Sequence, residues 1–289
     1  MIELFIAAAL ATTSPPSPVP PAVIADPAAD PAHPAAITAF VLPSHGSGMN
    51  AVMYTASGAS PHPTLLLLHG FPGNEQNVDL AQAARRAGWN VLTFHYRGSW
   101  GSEGDFSFLN AAEDAHAALA FLRDPANVAR FHIDPNRIVL AGHSMGGYMA
   151  ADAAADDPRV AGLFLIDPWD IGADARQLGT PEGRKAWHDE APGDLPPLAG
   201  TSEQKLAGEM QANADRLDLT RRTIAFGPRP LDVVGAERGG GAAQTVLLNR
   251  ARSAGNSKAT GAVWPTDHSF SDMRIALAAE LVRWLAQFR

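Results

Sequence analysis

Apolar residues along the chain fall into two alternating kinds of run. Thr64–Leu68, Trp89–Phe94, Ile138–Ala141 and Val160–Ile166 are short stretches rich in Leu, Ile and Val. Unbroken runs of this length read as strands covered on both faces. Between them, Leu80, Ala83, Ala84 and Ala87 recur at helical spacing and stop at Gly88, with Asn74 or Asn77 available as the cap. Phe108, Ala112, Ala115, Ala118, Leu119 and Leu122 repeat the pattern, which places Glu113, Asp114 and His116 mostly on a solvated face. Ile37–Leu42 and Met49–Tyr54 flank the turn-like Ser44–Gly48 and predict a leading hairpin. The alternation returns with a strand from Leu231, a helix through Val246, Leu247 and Ala251, a strand over Ala259–Trp264 and a terminal amphipathic helix carrying Ile275, Leu277, Leu281, Leu285 and Phe288. Six parallel-type strands with helices between them predict an α/β fold with a doubly wound, mostly parallel sheet.

Two segments stand apart from this rhythm. Residues 11–36 hold eight prolines and eight alanines, a composition for extended, solvated backbone, so the folded domain is expected over 37–289. Ahead of them, Leu4–Ala11 is an apolar run too short to cross a bilayer but long enough for a signal-peptide core, and Ala9-Leu10-Ala11 offers a small-x-small cleavage site. Glu3 and the lack of Lys or Arg before the run weaken that pattern. The expectation is a secreted or periplasmic protein whose mature chain begins near Thr12, with a cytoplasmic location as the alternative. Within the domain, the strand–helix pattern lapses from about 169 to 227, where a single helix capped by Thr201 or Ser202 carries Leu206 and Met210, with Leu217 beyond them.

Composition narrows the partners. A net charge of -8 without a Lys/Arg run argues against nucleic acid and anionic membrane surfaces, and the absence of cysteine excludes disulfides, thiolate metal sites and a cysteine nucleophile. With 289 residues and 46% hydrophobic side chains, either one large domain or two small ones is possible, and the single run of βα alternation favours one.

The chemistry concentrates where a strand meets a helix. Ile138–Ala141 runs into Gly142-His143-Ser144-Met145-Gly146-Gly147 and then into the helix-forming Tyr148–Ala155. This is the strand, G-x-S-x-G turn and helix of a nucleophile elbow, in which Ser144 sits at the tip and the following helix aims free N–H groups at it. No H-E-x-x-H or clustered histidines suggest a metal, and the glycine-rich His95–Gly104 lacks the Gly-Lys-Ser/Thr ending of a phosphate loop, so neither metal nor cofactor is expected.

Asp134-Pro135-Asn136-Arg137 leading into Gly-His-Ser-Met-Gly-Gly resembles the elbow of the α/β-hydrolase superfamily, in particular monoglyceride-lipase-like esterases and prolyl-oligopeptidase-like or aminopeptidase-like serine hydrolases. The likeness extends from about Ala39 to the C-terminus and weakens between Trp169 and Gly227. It implies an oxyanion hole from the N–H groups of Phe71, in His69-Gly70-Phe71-Pro72, and of Met145, with His69 itself kept for packing. His95–Gly104 resembles the family's R-G-x-G-x-S-x-G loop and is expected on the pocket rim. The insertion after the sixth strand is expected to be a small cap, its Leu206, Met210 and Leu217 facing the pocket mouth, although a surface excursion away from substrate is the simpler alternative.

In this superfamily the catalytic order is serine, acid, histidine. Only His188 and His268 follow Ser144, and His268 alone lies between a last strand and a last helix, which makes it the expected base. Glu237 is the expected acid, although a G-x-x-D pattern would put the carboxylate where Arg238 stands. Asp167, ending the sixth strand, is the runner-up, and Asp232 ranks third. The expected activity is serine hydrolysis of carboxylic esters through an acyl-enzyme, acting on a small ester or short peptide. A peptidase with the same triad is the alternative, and a hydrolase-fold binding protein without turnover a more distant one.

Overall fold

The computed structural model describes residues 18–289, so the apolar run Leu4–Ala11 and its cleavage site lie outside the described residues. One eight-stranded sheet organises the chain: β1 (Ala36–Ser44), β2 (Ser47–Thr55), β3 (His62–Leu68), β4 (Asn90–Phe94), β5 (Ile133–His143), β6 (Leu163–Ile166), β7 (Leu231–Arg238) and β8 (Ala259–Asp267). Their order across the sheet is β1-β2-β4-β3-β5-β6-β7-β8. The hairpin β1–β2 is antiparallel and joins β4 antiparallel, while the pairs from β4 to β8 are all parallel.

Among the described residues eleven α-helices accompany it: a single turn α1 (Pro21–Ile24), then α2 (Val78–Arg86), α3 (Phe108–Arg123), α4 (Pro125–Phe131), α5 (Met145–Asp156), α6 (Ile171–Gln177), α7 (Pro181–Asp194), α8 (Glu203–Ala212), α9 (Leu219–Ala225), α10 (Ala242–Ser253) and α11 (Arg274–Leu285). Because side chains alternate along a strand, each central strand feeds two cores. Leu65, Leu67, Val91 and Val139 pack with α2 and α11. Leu66, Leu68, Leu92 and Leu140 pack with α3 and α5 on the other face. This is why the central strands read as unbroken apolar runs rather than alternating ones. The Pro/Ala-rich stretch is mostly exposed from residue 18 onward, and Arg86 holds the α1 turn through the carbonyls of Ala22 and Val23.

The region between β6 and β7 contains four helices rather than one. Three of them lack an apolar stripe, but each opens on a side chain that caps it: Asp170 for α6, Thr180 for α7 and Asp218 for α9, as Ser202 does for α8. The caps are the signal of these helices in the sequence, because apolar periodicity does not mark them. Asp124 caps α4, also unread in the sequence, in the same way.

Asp114 departs from the solvated face assigned to it. Its side chain is fully buried and accepts from Ser44 Oγ at 2.6 Å, Arg97 N at 2.8 Å and Arg97 Nε at 2.6 Å. Burial outweighs these bonds and raises its pKa, whereas Glu113, half-exposed, is held low by Arg97. Arg97→Ala would strand a buried carboxylate without its cation, so a loss of about 3–5 kcal/mol in urea unfolding is expected, and a loss below about 1 kcal/mol would contradict this role. His116 lies beside Asp152 and Asp156, and Arg222 from α9 pairs with both acids.

Candidate active site

At the end of β5 the backbone turns sharply, and Ser144 is left at φ 55°, ψ -122°, a conformation that side-chain-bearing residues rarely hold. Two glycines make this possible. A Cβ on Gly142 would lie 2.0 Å from the Gly146 carbonyl oxygen, and one on Gly146 would lie 2.2 Å from that of Leu68. The turn is tied down by Ser144 N–H to Ile166 O at 3.0 Å and by Trp169 N–H to Ser144 O at 2.9 Å. Met145 begins α5, so its N–H has no intrahelical acceptor and points, with the positive end of the helix, toward the elbow. The loop after β3 closes on the same point, since a Cβ on Gly70 would come within 2.9 Å of Ser144 Cβ. Phe71 and Met145, the residues expected to supply the oxyanion donors, directly follow Gly70 and Ser144, which meet at this point.

His268 follows β8, and its Nδ1–H donates to Asp167 Oδ2 at 2.6 Å. The carboxylate partner fixes the proton on Nδ1 and leaves the Nε2 lone pair available, as a general base requires. Asp167 sits directly after β6 at φ 38° with its side chain entirely buried. Ala236 N–H donates to Oδ1 at 3.0 Å, and Gly240 N–H reaches Oδ1 at 3.1 Å and Oδ2 at 2.9 Å. Burial pushes the Asp167 pKa up, but the bonds from His268, Ala236 and Gly240 prevail and hold it below the ordinary aspartate value. Gly239 and Gly240 wrap the carboxylate so closely that a Cβ on Gly239 would fall 2.1 Å from Oδ2.

The structure therefore brings Asp167, not Glu237, to His268. β7 runs to Arg238, so Glu237 is still a strand residue with an exposed side chain, not part of a loop arching over the sheet. The glycine-rich loop after it serves the other carboxylate, through the Gly240 N–H. Asp232 is buried mid-strand and accepts from Thr260 Oγ1 at 2.7 Å. His188, on α7, lies beside Glu203.

Two buried imidazoles frame the site. His69 Nδ1–H donates to Gly70 O at 2.7 Å, and His143 Nε2–H donates to His268 O at 2.8 Å, its ring 4.6 Å from that of His268. Burial lowers the pKa of His69 to about 3 and that of His143 to about 4. An unfolded histidine takes its proton near pH 6.5. Between about pH 6.5 and pH 4 the unfolded chain thus binds protons that these two native imidazoles refuse, and stability falls as pH falls through that window. Above it their contribution is complete. The melting temperature should decline from pH 7.5 to 4.5, and His143→Gln, which keeps an N–H donor but cannot titrate, should decline less steeply. Parallel profiles would show that His143 is not the linked group. Asp167 adds its own loss only below about pH 3.9.

Ser144 and His268 stand where two clefts of about 680 and 920 Å³ meet. The insertion roofs the smaller with Leu178, Ala186, Trp187 and Glu190, and Met210 lines it from α8. Leu206 and Leu217, expected at the pocket mouth with Met210, are packed with it into the main core and, unlike Met210, do not line the cleft; α8 packs against α6, α7 and α3. The His95–Gly104 loop is likewise not part of either cleft's lining. Trp100 Nε1–H donates to Pro72 O at 2.9 Å, and Trp100 N–H to Pro197 O at 2.9 Å, so the loop braces the Phe71 segment and the insertion from behind.

Comparison with known proteins agrees with this architecture. The family defined by the alpha/beta hydrolase fold matches residues 63–249. The chain is 34% identical over 117 residues to uncharacterized protein MT2364 of Mycobacterium tuberculosis, covering 40% of this chain and 39% of that protein. It is 31% identical over 126 residues to the sn-1-specific diacylglycerol lipase ABHD11 of Xenopus tropicalis, covering 43% and 37%. The match spans about two fifths of the length of these relatives. Among solved structures, Est1E from Butyrivibrio proteoclasticus with bound ferulic acid superposes with a TM-score of 0.67 at 17% identity, over 86% of this chain and 98% of that one, a likeness of fold. With the family match covering most of the sheet, the elbow and the insertion, the chain belongs to the alpha/beta hydrolase fold family.

Proposed function

We propose that the protein is a serine hydrolase that cleaves carboxylic esters through an acyl-enzyme. The observation that carries this reading is the His268–Asp167 pair, with its 2.6 Å bond, opening into the same clefts as a serine held on a strained elbow. In the first half-reaction His268 Nε2 takes the proton of Ser144 as Oγ adds to the ester carbonyl carbon. The N–H groups of Phe71 and Met145 receive the negative charge on the carbonyl oxygen. Asp167 stabilises the imidazolium, which then passes its proton to the departing alkoxide and leaves the acyl group on Ser144. Water repeats the sequence in reverse: its proton goes to His268, its oxygen to the acyl carbon, and the proton returns to Ser144 as the carboxylic acid leaves.

Esterase and lipase names recur among the relatives and fold neighbours, which favours an ester over a peptide substrate. Labelling with a fluorophosphonate, followed by assay on p-nitrophenyl esters and aminoacyl anilides, tests both parts. Labelling with ester turnover is the expected result, and faster cleavage of the anilides would turn the reading toward a peptidase.

A further inference from the structure

The two clefts that meet at Ser144 differ in their walls. Only the smaller is lined by Phe71, whose N–H lies on the oxyanion side, and it has an apolar lining from Leu178, Trp187, Ala191 and Met210. Its charged rim is wholly acidic, through Glu182, Glu190 and Asp194 besides Asp174. The larger alone is lined by Asp167, Gly239 and Gly240, the groups that hold the base. It also carries hydrogen-bonding side chains of both signs, including Asp170, Thr220, Arg250 and the Arg176–Asp218 pair at 2.8 Å.

Trp169 borders both. Its Nε1–H donates to Asp174 Oδ2 at 2.6 Å, its ring packs 5.5 Å from Phe108 and 6.3 Å from Phe71, and its own N–H holds the Ser144 carbonyl. The indole is thus a wall fixed to the nucleophile's own backbone.

Resting on the serine-hydrolase reading above, we propose that Trp169 divides the ester between the two clefts, with the acyl group in the Phe71–Met210 cleft and the alcohol in the Gly240–Thr220 cleft. The geometry of acyl transfer supplies the direction. The departing oxygen must face the imidazolium that protonates it, so the alcohol leaves along the side built by the groups that hold His268. The acyl carbon stays under the oxyanion donors, and its chain runs beneath Phe71. The chemistry of the walls then names the substrate class. It is an ester of an uncharged apolar acyl group, of ring or medium-chain size, with a polar, hydroxyl-bearing alcohol, because acidic rims repel a carboxylate-bearing acyl group and mixed donors and acceptors reward hydroxyls.

Blocking one cleft at a time tests the division. Ala186 on α7 and Ala243 on α10 are exposed and line the acyl and alcohol clefts respectively, so tryptophan at either fills its cleft without entering the core. Four esters, acetyl or 3-phenylpropanoyl on ethanol or glycerol, are compared by kcat/KM, with the fluorophosphonate labelling rate recorded alongside. Wild type is expected to favour phenylpropanoyl over acetyl and glyceryl over ethyl. Ala186→Trp should erode the acyl preference by about tenfold and leave the alcohol preference in place, and Ala243→Trp should do the opposite. Exchanged effects, equal effects on both ratios, or an absence of either preference in a wild type that labels normally would overturn the division while leaving the hydrolase reading standing. A wild type that does not label would bring down both.

Discussion

Ser144→Ala is expected to lower kcat by a factor on the order of 10⁶ while the protein melts within a few degrees of wild type. The size follows from the triad acting as a unit: once the nucleophile is gone, the base has no proton to take, and only the oxyanion donors and binding remain. The fold should tolerate the change because the Cβ that packs against Gly70 is retained, and Ser144 is held through its backbone. Ser144→Gly provides an internal check on the elbow. It abolishes turnover equally but releases the strain of a side chain at φ 55°, so it should unfold at a higher temperature than Ser144→Ala. Residual activity above about a hundredth of wild type, unchanged by a fluorophosphonate, would remove Ser144 from the reaction.

The second large effect is expected at Asp167, and the surroundings of its carboxylate predict the sense of the failure. Oδ1 receives Ala236 N–H, Gly240 N–H is shared between Oδ1 and Oδ2, and Oδ2 faces His268. In Asp167→Asn the amide oxygen must take the Oδ1 place, since an NH₂ there would confront the fixed backbone N–H of Ala236, whereas the imidazole can meet an NH₂ by changing tautomer. The amide nitrogen then faces Nδ1 as a donor and forces the imidazole proton onto Nε2, where the general base is lost. The precedent for such a tautomer reversal in a serine protease is a fall of about 10⁴ in kcat. KM should move little, because the carboxylate is fully buried with its bonds committed to His268, Ala236 and Gly240. Glu237→Gln, at an exposed strand end, should change kcat by less than about twofold. A tenfold or smaller effect at Asp167, or a larger one at Glu237 than at Asp167, would return the role to the β7 position.

The difference between those two carboxylates also marks how far the residues could be read in one dimension. Both end apolar strands, and both lie near glycines. Glu237 was the nearer match by position in the chain, and nothing local announced that β7 would continue through it. Asp167 becomes the partner of His268 through an encounter between residues 101 positions apart, completed by N–H groups from Ala236 and Gly240. The same distinction applies to Asp114, whose helical position looks solvated until the loop carrying Arg97 folds over it. Leu206 and Leu217 were legible as apolar but not as core rather than cleft, since hydrophobicity specifies burial without naming the surface that provides it.

What the sequence determined by itself is local and periodic. Unbroken apolar runs specified strands covered on both sides, helical spacing specified the layers between them, and Gly142-x-Ser144-x-Gly146 specified an elbow, because only glycine fits where the turn folds back on neighbouring carbonyls. What the tertiary structure alone decided is which carboxylate meets the histidine, which side chains line the clefts and how Trp169 parts them. Those outcomes depend on the packing of elements distant in sequence, where a positive φ at Asp167 accompanies a side chain turned into the site and two further residues of strand in β7 leave Glu237 in solvent.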